Sequence, residues 1–318
     1  MNKNPLGLAF VLFAIGCSSS SAYLPENNWP TKEAAEKLAN RPLPQISAPT
    51  KERAPVVEHW ALTGELPESF GFSKPVLTSN WEKGFETLIT KNPEHRLSAA
   101  EMCVAKQIAA FVAVHNSFPE QPIDNFIAAR CGATTNNTRI MSLSFENGTE
   151  PEIAWGSKQP EITAWASKHL ASFSSADIGI AALNQGGTLR FVLIVSKRTV
   201  DLQPMAFVHE GSVVIRGVSN MPNTASVGAS VTRGEFGFAS CERDSRISFP
   251  EFAFTCPVEP KDSFVYVDFW VGREGRVLGN NAARVMVAGA TPPQEYVIPA
   301  IRRAVALSVA GQEVPSSE

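Results

Sequence analysis

Apolar positions along this chain change their spacing twice, and each change marks a different kind of structure. Met102, Cys103, Ala105, Ile108, Ala109, Phe111 and Val112 recur three and four residues apart behind the box Ser98-Ala99-Ala100-Glu101, which predicts a capped helix over 98–114. Ile123, Phe126, Ile127 and Ala128 repeat that spacing and predict a shorter helix over 122–130, ending at Cys131. Residues 139–145 read as a strand. A third helix is predicted over 160–173, with Ile162, Trp165, Ala166, His169 and Leu170 along its buried side. Two apolar runs, 177–182 and 189–195, flank the turn Asn184-Gln185-Gly186-Gly187 and predict a hairpin. After Lys197 the pattern becomes short alternating segments, at 205–209, 212–216, 226–232, 247–254, 264–271 and 283–288. Their number and spacing are those of an antiparallel sandwich. Pro292-Pro293 breaks this run, and 295–310 predicts a terminal helix with Val297, Ile301, Ala304, Val305 and Val309 on one face. The fold class expected is α+β, with an α+β domain at 67–200, a β-domain at 201–290, and a C-terminal helix and tail at 291–318.

The N-terminus has its own pattern. Lys3 precedes an apolar run from Leu6 to Ile15, followed by Gly16 and Cys17. The run is too short to cross a hydrocarbon layer of about 30 Å, and a small residue closes it, so 1–16 is expected to be a cleaved export signal. Ala14-Ile15-Gly16-Cys17 resembles the bacterial lipobox, with Ala14 where Leu is usual. That resemblance implies cleavage before Cys17 and acylation of it, so the membrane is a partner through the lipid, at about 0.8 kcal/mol per buried methylene. Plain secretion with an incidental cysteine is the alternative. Ser18 after Cys17 resembles sorting to the outer membrane, and the expected address is the bacterial cell envelope. Residues 17–66 read as a tether and linker, with Pro25, Pro30, Pro42, Pro44 and Pro49 and one short helical stretch at 31–38.

Charge narrows the partners. Lys and Arg number 28 against 31 Asp and Glu, a formal net charge of −3, which supplies no broad basic surface for nucleic acid. Besides Cys17 there are Cys103, Cys131, Cys241 and Cys256, an even number in an exported chain, which reads as two disulfides. Three connectivities are open, and the pairing of neighbours, Cys103 with Cys131 and Cys241 with Cys256, is favoured because the long gap between the pairs spans the change of pattern.

Signatures of common enzymes are missing from the sequence: it holds no Gly-x-Ser-x-Gly, no phosphate-binding Gly-x-x-x-x-Gly-Lys-Ser/Thr and no His-Glu-x-x-His. The glycine-rich 272–279 lies between two predicted strands and reads as a hairpin. Of five histidines, His59, His95 and His209 read as surface or edge residues, leaving His115 at the end of one helix and His169 on another.

Residues 97–195 resemble the CAP superfamily of cysteine-rich secretory, antigen-five and pathogenesis-related proteins. Ala99-Ala100 and the helix after it are similar to that family's first long helix, with His115 near its cavity histidine. Phe145-Glu146-Asn147 resembles its Gly-Glu-Asn element, Trp165-Ala166-Ser167-Lys168-His169 a shortened Trp-x-x-Ser-x-x-His, and Asp177-Ile178-Gly179-Ile180-Ala181 its Val-Gly-Val-Gly strand. The resemblance implies a CAP-like α-β-α sandwich with a shallow cleft at His115, Glu146 and His169; the β-sandwich expected after it is Ig-like by its strand pattern, in architecture alone. A second carboxylate does not align, Glu161 preceding Trp165. No cofactor is expected, and a divalent metal enters only through His115 and His169. Each residue also has a plainer role: His115 as the cation at a helix C-terminus, Glu146 as a solvated turn residue. The function expected is a non-catalytic, membrane-anchored binding protein for a lipid, glycan or protein ligand. A metal-dependent hydrolase at the His115/His169 cleft, which requires those side chains and Glu146 to converge within about 4–6 Å, and a structural subunit of an envelope complex are the alternatives.

Overall fold

The computed structural model describes residues 59–134, 138–146, 150–221, 223–233, 237–259, 262–273 and 280–297. The expected export signal, Cys17, the stretch at 31–38 and nearly all of the expected terminal helix lie outside the described residues. The first half of the chain runs β1 (His59–Ala61), β2 (Ser69–Phe70), α1 (Asn80–Ile89), β3 (His95–Leu97), α2 (Ala99–His115), α3 (Gln121–Arg130), β4 (Thr138–Glu146), α4 (Pro151–Leu170), β5 (Ala176–Gln185) and β6 (Thr188–Lys197). There follow β7 (Val200–Leu202), β8 (Met205–Ala206), β9 (Ser212–Ser219), β10 (Thr224–Arg233), β11 (Gly237–Ser240), β12 (Glu242–Arg243), β13 (Glu251–Pro257), β14 (Val265–Arg273), β15 (Asn280–Val287) and β16 (Glu295–Val297). The class is α+β.

In the first half, one sheet has the order β3-β5-β6-β4, with β3 parallel to β5 and the other pairs antiparallel. Both faces are buried along most of the central strands β5 and β6, and strand alternation divides them. Ala181, Val192 and Ile194 face Ala105, Ile108, Ala109 and Val112 of α2. Ile178, Ile180, Phe191, Leu193 and Val195 face the other way, onto Trp81, Phe85 and Ile89 of α1 and Ile162, Ala166 and Leu170 of α4. Helices therefore cover the sheet on both sides. The α2 backbone crosses β5 so closely that a Cβ on Gly179 would lie 2.0 Å from the Glu101 carbonyl oxygen. Gly186 and Gly187, at φ +59° and +81°, supply the turn between β5 and β6.

Two helices depart from the sequence reading. α1 was not expected, although Ser79-Asn80-Trp81-Glu82 forms a reciprocal capping box: Ser79 Oγ accepts from Glu82 N and the Glu82 carboxylate from Ser79 N. α4 begins at Pro151 rather than 160. Pro151 stands in its first turn, while Pro160 is tolerated inside it because the carbonyl left without a partner, on Gly156, lies at an exposed position.

The second half forms two four-stranded antiparallel sheets, β12-β13-β9-β7 and β11-β10-β14-β15. Val213, Ile215, Phe252 and Phe254 from one meet Val227, Val231, Val267 and Phe269 from the other, and the Phe269 ring lies 6.0 Å from Phe252 and 6.2 Å from Phe254. The strand expected at 247–254 starts later, at Glu251, because a turn bonds Ile247 N to Asp244 O. Of the expected 205–209 strand, Met205 and Ala206 pair with β2, and Val208 makes an isolated bridge to Ala288. Glu295, expected to open a helix, instead opens a short strand along β1, where its residues find ladder partners in His59–Ala61.

Both expected disulfides are present, Cys103–Cys131 joining α2 to the end of α3 and Cys241–Cys256 joining the segment after β11 to β13. The core between α2 and its sheet continues into the sandwich as one apolar cluster. Phe126 of α3 reaches Phe264 at 6.2 Å and Tyr296 at 5.6 Å, and the Arg130 guanidinium lies 5.1 Å from the Phe207 ring.

Candidate functional site

Where the β5–β6 hairpin runs past the last turn of α2, the small side chains of the helix leave a cleft of about 280 Å³. Ala109, Val112 and Leu183 give it an apolar floor, Ala113 opens its mouth, and Asn116, Gln185, Thr188 and Arg190 supply its polar rim. Asn116 ends the helix in the left-handed region at φ +50°, its N–H donating to Val112 O at 2.8 Å. Arg190 is steadied by Ser144, whose hydroxyl accepts from its Nε at 3.2 Å. One cation, two amides and a hydroxyl around an apolar floor are groups that recognise and orient a ligand.

The three residues singled out from sequence fall around and behind this cleft. His115 is the last residue of α2, yet its ring turns to the far side of the helix, 4.3 Å from Phe111 and 5.8 Å from Trp60. Glu146 ends β4 opposite Thr188 in the ladder, exposed, on the face of the sheet shared with Ser144 and α2. His169 sits in the last turn of α4 against Trp165, ring centroids 6.0 Å apart. The sheet therefore separates it from His115, and the convergence that a shared metal or proton relay requires is not made. Among the described residues no three His, Cys, Asp or Glu side chains gather as a metal site. His95 is likewise not at the surface. It is 6% exposed, with Nε2 2.8 Å from the Phe173 carbonyl, because β3 is a paired strand rather than a linker.

A polar cluster that the sequence reading missed lies at the other end of the same sheet face. Ser98 is the N-cap of α2 but makes no side-chain capping bond, so the expected capping box is not formed. Glu101 instead turns inward and is 2% exposed. Burial, reinforced by the nearby Asp177 carboxylate, pushes its pKa up to about 8 against the opposing hydrogen bond from Ser196. Burial also raises Asp124, in the first turn of α3, to about 6. Thr138 and Ser196 share a hydroxyl hydrogen bond at 2.9 Å. Arg96, 3.8 Å above the Phe72 ring, ion-pairs with both Asp177 and Asp201, and Asn220 donates to Asp201 at 2.7 Å. These contacts tie β3 and β5 to β7 and the end of β9. The chemistry is that of a structural clasp holding a protonated acid, and its one sequence signal, an acid on an otherwise apolar helix face, was absorbed by the capping motif.

No family model matches the chain, and no curated protein matches it.

Proposed function

We propose that this chain is an exported, lipid-anchored protein of the bacterial cell envelope that binds a ligand without transforming it, through a CAP-like module carried on an Ig-like β-sandwich. The observation that carries the reading is the cleft at the end of α2, whose apolar floor and neutral amide and hydroxyl rim, with Arg190 as its cation, suit recognition, while His115 turns away from it. Helices on both faces of the β3-β5-β6-β4 sheet support the CAP-like module. Two disulfides support passage through an oxidising compartment. Lipid, glycan and protein are the ligand classes that such a cleft serves.

The test presents the full-length chain to a bacterial glycan array and to an array of envelope phospholipids and fatty acids, beside Ala113→Trp, which fills the mouth of the cleft. A retained ligand is expected, with binding abolished in Ala113→Trp while its far-UV circular dichroism is unchanged. Retention indifferent to Ala113→Trp, or none on either array, refutes the cleft as the site. The anchor is tested by labelling cells with an alkyne fatty acid: the label is expected on the wild type and absent from Cys17→Ser.

A further inference from the structure

Strand β4 ends the β3-β5-β6-β4 sheet, and among the described residues it pairs only with β6. The backbone N–H and C=O groups that point away from β6 therefore form an open ladder. Proteins blunt such edges with short strands, bulges, prolines or lysines, because an open ladder recruits another strand. The other edges of the four-stranded sheets follow that rule. β3 and β7 have three residues, β12 two and β11 four. β15 has eight, but Thr199 Oγ1 donates to its Ala282 carbonyl at 2.6 Å, and Ala288 N, just past its end, donates to Phe207 O at 2.7 Å. β4 carries none of these devices. It is nine residues long, holds no proline or lysine, and runs beside β6 without a shift of register. α2 and α4 pack chiefly on β5 and β6, which leaves Ser142 and Ser144 exposed and Ile140, Met141, Leu143 and Phe145 only half-buried. We propose that β4 pairs antiparallel with β4 of a second copy of this chain, about a two-fold axis through Ser142.

The strand is self-complementary about that residue. An axis perpendicular to the sheet keeps the faces of the two copies aligned, so opposed residues must share a face, and the register centred on Ser142 is the one that pairs all nine residues. Met141 then meets Leu143 of the second copy on the α4 side, Ile140 meets its Ser144 on the α2 side, and Ser142 meets itself. Arg139 and Glu146, the charges of the strand, stand near its opposite ends. Antiparallel pairing brings Glu146 of the second copy opposite Thr138, next to Arg139, so each end of the joint holds both signs. The two Arg139 are then six residues, about 20 Å, apart. Parallel pairing in register would set Arg139 against Arg139 and Glu146 against Glu146. A second copy thus completes the ladder, covers the half-buried apolar side chains and keeps like charges separate. Ser144, which holds Arg190 at the rim of the α2 cleft, lies along the joint, so the two clefts open on the same face of one sheet. The pairing does not depend on what the cleft binds.

The experiment is sedimentation equilibrium of the full-length chain over a concentration series, in density-matched uncharged detergent. A reversible monomer–dimer equilibrium is expected. Ser142→Lys, which sets two ammonium groups face to face on the axis, is expected to raise the dissociation constant at least tenfold, and Gln159→Lys, at an exposed position of α4, to leave it unchanged. Oxidative cross-linking reads the register and carries the test if Ser142→Lys fails to fold by circular dichroism. Directly opposed Cα atoms lie about 4.5–5.5 Å apart, within disulfide range, so Ser142→Cys is expected to give a covalent dimer. Ser144→Cys stands four residues, about 13 Å, from its counterpart and is expected to cross-link no more than wild type. Cys17 is common to all three chains, so its contribution cancels. A chain that stays monomeric at every concentration overturns the proposal and leaves the edge to a strand of another protein. An equal weakening in Gln159→Lys, or Ser144→Cys cross-linking as readily as Ser142→Cys, overturns it as well.

Discussion

Replacing Glu101 by Gln is expected to stabilise this protein at alkaline pH and to flatten its stability between pH 6 and 8. The carboxyl is 2% exposed and its pKa rises from 4.5 to about 8, through burial first and the Asp177 carboxylate second. An acid raised on folding keeps its proton in the folded chain after the unfolded chain has lost it. Below pH 4.5 both states hold the proton. From pH 4.5 to about 8 the unfolded state binds fewer protons, so stability falls as pH rises, and above about 8 the loss is complete. At 1.36 kcal/mol per pH unit the full loss is about 4–5 kcal/mol, a large share of the ~5–15 kcal/mol that holds a domain folded. Asp124, raised to about 6, acts in the same direction but is spent by that pH, which leaves the interval from 6 to 8 to Glu101. Gln keeps the size and hydrogen-bonding capacity and removes the charge. The assay is urea unfolding, followed by tryptophan fluorescence at pH 5, 6, 7, 8 and 9, with the difference between wild type and variant taken at each pH so that histidine titrations common to both cancel. The variant is expected to gain on the wild type steadily from pH 6 to 8. A difference independent of pH, or a variant less stable than wild type at pH 9, refutes the assignment of a buried, protonated acid.

Three further outcomes follow from the packing. Gly179→Ala is expected to cost more than about 3 kcal/mol, or to abolish folding, since its Cβ would meet the Glu101 carbonyl at 2.0 Å between two backbones that cannot part; urea midpoints measure it. Replacing both cysteines of one bridge by Ala is expected to cost about 3.5 kcal/mol for Cys103–Cys131, separated by 28 residues, and about 3 kcal/mol for Cys241–Cys256, separated by 15, as read by thermal unfolding. Ser79→Ala is expected to lose about 1 kcal/mol with the cap of α1, and Ser98→Ala, whose side chain makes no capping bond, distinctly less; the pair of melting temperatures distinguishes the working cap from the apparent one.

The contrast between Ser79 and Ser98 marks where local reading stops. Both precede a Glu by three residues, so both satisfy the same motif, yet only Ser79 closes the box, because Glu101 is drawn toward Ser196 on a strand nearly a hundred residues away. The helix over α2, the β5–β6 hairpin and most sandwich strands were legible because hydrophobic spacing reports which side of an element is buried. The disulfide pairs were legible because each joins cysteines close in sequence. α4 was found short at its start because a proline inside a helix is read as its beginning, and the exposed position of Pro160 is a fact of packing.

α2, which ends at His115, is buried on nearly every side, and α4, which carries His169, buries only Ala154, Ile162, Ala166 and Leu170, and the spacing within a helix does not say which face of a sheet it covers. The order β3-β5-β6-β4 decides that α2 and α4 cover opposite faces, so two residues that the resemblance joined are separated by the sheet. The same order leaves β4 at the end of the sheet, which nothing in its own spacing announces. The sequence by itself determined most of the longer elements and the bridges between near cysteines, because these depend on interactions within a few turns or a few residues. The tertiary structure alone decided which side chains share a face, a cleft or a charge cluster, because that depends on which distant strands pair, and strand pairing leaves no mark on the spacing within either strand.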